Sequence, residues 1–227
     1  MHPALSGTRL AAATVVLLLS VSACGTEPNP AGDASIAAPL AEVTAMFVLP
    51  RVGVPQNFFD TPFPSDLRRN METGHPNLDG WPERVNVPVL NTVLGMLEET
   101  DGFALNTALY LRFDGPIDAD RLPGPDGTDR VDSPVLLMDV DPDSPELGRL
   151  FPLLLDFRTE ATNPAYRPTN TLAIIPVGGV MLREGGRYAT VVTHGVRDLA
   201  GRPVRRTADM EAVLATAPPA DPTRAEA

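Results

Sequence analysis

Between residues 108 and 193 the chain is cut into short β-type runs, each closed by Gly, Pro, Asp or Asn before it can lengthen. The runs are 108–113, 135–140, 151–157, 171–177 and 188–193. Punctuation at this spacing favours short antiparallel strands, because each run is too brief for an ordinary helix. In the first run Leu109, Leu111 and Phe113 alternate with Ala108, Tyr110 and Arg112, which puts three apolar side chains on one face. The run 188–193 is almost continuously apolar and is expected at the centre of a sandwich, and 43–49 adds an earlier strand. The rhythm of about 30 residues that marks βαβ units is missing. The fold class expected is mostly β, an antiparallel sandwich with one or two peripheral helices. The 25 prolines and 18 glycines of the 227-residue chain suit such a turn-rich fold.

Two stretches read as helix. In 88–98, Leu90, Val93, Leu94 and Leu97 recur at helical spacing, Asn86 is placed to cap the start, and Pro88 suits the first turn. Gly95 inside it costs about 1 kcal/mol relative to alanine. In 206–216, Met210, Val213 and Leu214 share a face, and Ala217-Pro218-Pro219-Ala220-Asp221-Pro222 then holds no stable element. Prolines 62 and 64 forbid a helix between 58 and 68, where Phe58, Phe59 and Phe63 are expected to pin a loop onto the core. Asp79-Gly80-Trp81-Pro82 is a turn beside the only tryptophan.

The front of the chain is of another kind. Arg9 and the amino terminus precede an apolar stretch from Leu10 to Leu19, followed by Val21-Ser22-Ala23-Cys24. That stretch is too short to cross a bilayer, which needs about 20 apolar residues. It is built like a secretory signal, and the single arginine does not support a twin-arginine signal. With Cys24, the only cysteine, it resembles the signal peptide and lipobox of bacterial lipoproteins. The resemblance implies cleavage before Cys24, acyl chains on that residue, and a protein exported and held on a membrane by lipid. Gly25 after the cysteine resembles the pattern for outer-membrane sorting in a Gram-negative host. Two or more acyl chains hold stably. A lone cysteine forms no intramolecular disulfide, so the folded part relies on core burial. Residues 24–40 are small, polar and proline-containing and read as a flexible tether.

The formal net charge is −11, and all its basic residues are arginine. Loss of residues 1–23 would remove Arg9 and no acid, leaving a charge of about −12. A charge of this sign argues against nucleic acid as a partner and against docking on anionic lipid through a basic patch.

Several segments fall in a familiar order: Phe63-Pro64-Ser65-Asp66-Leu67, Asp101-Gly102-Phe103, Leu111-Arg112-Phe113-Asp114-Gly115-Pro116-Ile117-Asp118, Asn170 to Pro176, Gly186 to Thr193, and Gly195 to Pro203. Together they resemble the Ig-like N-terminal domain of bacterial surface lipoproteins, including the virulence factor lipase N-terminal family. The resemblance covers roughly residues 58–204. It implies an Ig-like domain over 41–205, with the proline-rich segment and helix at its front and a helical stub and disordered tail over 206–227. Tyr188 starts a run where such sandwiches use a tyrosine to tie a corner, and Gly201 is placed for a positive φ. In lipase-like members of the family a hydrolase domain follows; this chain has no Gly-x-Ser-x-Gly elbow.

Catalytic groups are sparse. Beyond residue 24 the serines are Ser35, Ser65, Ser133 and Ser144, and the histidines are His75 and His194. A Ser65–His194–Asp198 site can be drawn on uninformative spacing, and no catalytic residue is expected. Asp139, Asp141 and Asp143 alternate in an acidic turn near Asp118, Asp120, Asp126, Asp129 and Asp132. They read first as solvated turn carboxylates and second as calcium ligands, since calcium favours oxygen donors. The turn fails the EF-hand pattern: Ser144 stands where glycine is needed and Leu150 where glutamate is needed. No other cofactor is expected. Trp81, Tyr110 and Tyr166 are either binding platforms or core. Two functions follow: a lipid-anchored, non-catalytic module for adhesion, spacing or partner binding, or the non-catalytic front part of a lipase- or esterase-type hydrolase.

Overall fold

A computed structural model of the chain describes residues 42–51, 56–161, 163 and 167–215, which are mainly β with two helices. In chain order the elements are β1 (Thr44–Ala45), α1 (Pro88–Leu97), β2 (Leu109–Arg112), β3 (Val135–Asp139), β4 (Leu153–Arg158), β5 (Thr171–Pro176), β6 (Tyr188–Val192), β7 (Arg205–Arg206) and α2 (Ala208–Ala215). Each of the five expected runs carries a strand, ended by the turn residues that bound it. The early run 43–49 yields only β1, because beyond it Val48 donates its N–H to the Asp60 carbonyl at 2.9 Å and accepts the Thr61 hydroxyl at 2.7 Å.

One antiparallel sheet has the order β2-β5-β4, and a second pairs β3 with β6; β1 and β7 pair in parallel. Leu111 stands opposite Leu172, and Leu155 opposite Ile174. The main core takes Leu111 and Phe113, Leu153, Leu172 and Ile174 from the first sheet side and Val135 and Leu137 from the second. Removing this apolar area from water, at about 25 cal/mol per Å², is what holds the two sheets against each other.

The centre of the first sheet is β5, and β6 is not central as expected. Residues Thr171 to Ile174 are all buried. Leu172 and Ile174 fill the core, while Thr171 and Ala173 are small enough for neighbours to cross the other face. There Arg167 reaches the Thr171 carbonyl at 2.8 Å and the Asp156 carboxylate at 2.6 Å. In β6, by contrast, Tyr188 and Val192 pack on the core while Val191 remains 36 % exposed.

A second core sits on the other face of β2. Phe58, Phe59, Leu78, Leu90 and Leu94 are buried together, with Phe63, Trp81 and Tyr110 packed around them. Phe58 lies 5.1 Å from Phe59 and 4.8 Å from Trp81 between ring centroids, and Phe59 meets the Tyr110 ring edge-on. Phe58, Phe59 and Phe63 therefore build a separate aromatic cluster and do not pin a loop onto the main core. Strand alternation is the cause: Leu109 and Leu111 face one core, and Tyr110 faces the other. Arg112, on the same side as Tyr110, donates through Nε to Asp60 at 2.7 Å and ties the two regions.

Helix α1 buries Leu90 and Leu94 against this cluster but leaves Val93 and Leu97 exposed. Its N-cap is Val87, because the Asn86 side chain donates to Glu83 at 3.0 Å. Arg84 grips Glu98 at 2.7 and 2.6 Å and joins the approach to α1 to its C-terminal end. The Glu98 carboxyl is held below its ordinary value chiefly by these hydrogen bonds.

Candidate functional site

The acidic turn after β3 is the densest group of carboxylates singled out above. Asp139 ends β3 and is fully buried. Its carboxylate accepts the Ser144 hydroxyl at 2.6 Å and the Asp141 N–H at 2.9 Å. The Ser144 hydroxyl, with the Asp141 N–H and the Arg183 charge, holds this carboxyl below the usual carboxylate range despite its burial. Asp141 accepts the Asp143 N–H at 3.1 Å and the Arg183 guanidinium at 2.6 Å. Gly148, at φ +83°, closes the turn by donating its N–H to the Asp139 carbonyl at 2.8 Å.

The Asp139 and Asp141 carboxylates are occupied in holding the turn shut. A calcium ion on Asp139, Asp141 and Asp143 would have to displace the Ser144 hydroxyl and the Arg183 guanidinium. Among the described residues no three His, Cys, Asp or Glu side chains gather as a metal ion requires. Arg183, which the sequence reading missed, is the residue that ties this turn to the approach to β6. Its backbone N–H donates to the Tyr188 hydroxyl at 2.6 Å, five residues on. Gly186 makes room for that ring, since a Cβ there would lie 2.9 Å from the Tyr188 hydroxyl oxygen.

The drawn Ser65–His194–Asp198 site is not assembled. Ser65 Oγ is buried without a hydrogen-bond partner, and His194 is exposed. Asp198 is buried and accepts from Arg202 Nε at 2.7 Å and from the Arg202 and Ala200 N–H groups at 2.8 and 2.9 Å. Burial pushes the Asp198 carboxyl up, but the Arg202 contacts outweigh it and leave it below its ordinary value. This is the Asp-to-Gly turn expected at 198–201, with Gly201 at φ +76°. A nucleophile with no base beside it is not activated for acyl transfer.

A recess of about 250 Å³ lies between Glu42, Asp114, Asp198 and Leu199. It is smaller than the usual ligand pocket of about 300–1,000 Å³. Two of its carboxylates are already engaged, Asp198 as described and Asp114 by the Thr44 N–H at 2.6 Å. Trp81 and Tyr110 belong to the second core, so they are not free platforms. Tyr166, Cys24, Ser35, the tether over 24–40 and the tail after 215 lie outside the described residues.

The described residues hold many ion pairs whose cations are all arginine, among them Arg84–Glu98, Arg112–Asp60, Arg167–Asp156 and Arg183–Asp141. Among the described residues no helix is long and apolar enough to cross a membrane. No family model, curated protein or solved structure matches the chain.

Proposed function

We propose that this chain is an exported lipoprotein, cleaved before Cys24 and held on the membrane by acyl chains there, whose Ig-like sandwich works without catalysis in adhesion, spacing or partner binding. The anchoring rests on the sequence alone: an apolar stretch too short to span a bilayer leads straight into the only cysteine. The observation that carries the Ig-like reading is the pairing order. The sheets β2-β5-β4 and β3-β6 support it, since an Ig-like sandwich pairs its strands B-E-D in one sheet and C-F in the other. The parallel contact of β1 with β7 suits a first and a last strand meeting at the edge. The Tyr188 hydroxyl, tied to backbone five residues upstream at the start of the fifth of these strands, suits a tyrosine corner. Ser65, His194 and Asp198 share no hydrogen bond, which removes the one catalytic site that can be drawn from the sequence.

Metabolic labelling with palmitate tests the anchor. The native chain is expected to take up label and sediment with membranes. Cys24→Ser is expected to lose the label and to accumulate as precursor or soluble protein. Unchanged labelling and membrane retention in Cys24→Ser would overturn the reading. Turnover of short-chain p-nitrophenyl esters that vanished in both Ser65→Ala and His194→Ala would overturn the non-catalytic part.

A further inference from the structure

Strand β6 has one edge against β3, and its other edge pairs with no strand among the described residues. Thr193 donates its N–H to the Pro134 carbonyl at 2.9 Å, and Val140 donates to the Arg187 carbonyl at 2.9 Å. An antiparallel ladder alternates, so Ala189 and Val191 bond β3, while the N–H and C=O groups of Tyr188, Thr190 and Val192 point away from it. The partners of these three residues on β3 agree: Leu137 and Asp139 turn their own groups outward, to Phe151 and Arg149. Among the described residues no strand or bridge takes the outer edge of β6.

The other edges are closed or guarded. The outer edge of β3 is covered at Phe151 and Arg149, both at 3.0 Å. That of β2 is covered by Phe63, which exchanges two hydrogen bonds with Tyr110, and by Met46. That of β4 is capped at Leu153 by the Thr128 hydroxyl at 2.7 Å and carries the charges of Asp156 and Arg158. From Tyr188 to Val192, β6 has no charge and no proline, two devices that keep an edge from pairing.

We propose that this edge pairs antiparallel with the same edge of a second copy of the chain, which goes beyond the anchored-module reading and does not depend on it. The strand is self-complementary about Thr190. Pairing there sets Thr190 against its counterpart and Tyr188 against Val192, so an aromatic meets a β-branched residue and two threonines meet. Arg187 falls opposite Thr193, so no charge stands against its like. The contact is isologous, as a two-fold dimer requires. Two five-residue edges bury less than the roughly 1,200–2,000 Å² of a stable interface, so association is weak and concentration-dependent. The net charge of −11 opposes it at long range, so added salt strengthens it.

Sedimentation velocity of the full-length chain in non-ionic detergent, from low micromolar to near millimolar concentration and at low and high salt, tests the pairing. The expected result is a monomer–dimer equilibrium favoured by salt. Thr190→Pro removes an outward N–H that β3 does not use, and is expected to weaken the dimer about tenfold, as the loss of two backbone hydrogen bonds implies. Val93→Glu, on the exposed face of α1, is expected to leave the dimer unchanged. Should Thr190→Pro disturb the fold, Val191→Lys is the second variant, and amide hydrogen exchange of the native chain is the second measurement. Thr190 and Val192 amides are expected to exchange fast in the dilute monomer and slowly in the concentrated dimer. A chain monomeric at every concentration would leave the edge to a strand of another polypeptide and overturn the proposal. So would a dimer that survives both β6 variants, a dimer abolished by Val93→Glu, or slow exchange at Thr190 in the dilute monomer.

Discussion

The two cores on either side of β2 are built by different rules. The main core is largely aliphatic, drawn from strands far apart in sequence, and closed by two sheets. The second is aromatic, and except for Tyr110 its residues come from the continuous stretch between 58 and 94. The first needs long-range pairing to exist, whereas the second needs only a surface to settle on. One four-residue strand provides that surface because its alternate side chains serve opposite partners. The second region is therefore a satellite of the first and depends on it, not the reverse.

Breaking the main core gives the largest effect. Phe113→Ala is expected to cost about 3–5 kcal/mol, and to shift far-UV circular dichroism and tryptophan fluorescence together in a denaturant titration. The only tryptophan, Trp81, lies in the second core, so its fluorescence reports that region alone. Leu94→Ala is expected to cost about 2–3 kcal/mol and to move the Trp81 transition ahead of the β-sheet signal. Equal shifts of both signals in Leu94→Ala would show that the two regions unfold as one.

Asp60→Asn tests the tie between them. Its carboxylate faces Arg112, with both side chains mostly buried at 15 and 19 % exposure. Weakening the pair is expected to cost about 1–2 kcal/mol and to separate two transitions that otherwise coincide. Acid acts more gradually. Asp139, Asp156 and Asp198 in the main region, and Glu98 in the second, are held below their ordinary values in the folded chain. The unfolded chain therefore takes up protons first. Their stabilisation is intact above about pH 4 and is lost as pH falls through the folded values. With three such groups against one, the main region is expected to lose stability faster below about pH 4, as thermal melts followed by both signals would show.

The strands were legible in the sequence because their ends are chemical. Gly, Pro, Asp and Asn cluster in the turns between ladders, so the five runs and the strands coincide closely. Which run lies at the centre was not legible. Apolar content alone pointed to 188–193, but centrality depends on what can cross the reverse face, and the small Thr171 and Ala173 allow that for β5. The second core was visible only as a cluster of aromatics, since nothing local says which face of β2 they will meet. At the acidic turn the carboxylates were plain, while the groups that occupy them were not. Arg183 is 42 residues from Asp141, and no spacing rule joins the two.

The use of arginine alone as the cation of the ion pairs has a consequence at the alkaline end. A guanidinium keeps its proton in any solution a protein meets, whereas an ammonium surrenders its own within reach of strong base. The guanidiniums of Arg84 and Arg183, raised further by their carboxylate partners, therefore stay charged where lysines would fade. The same ion pairs are open to acid through their carboxylates and closed to base through their guanidiniums.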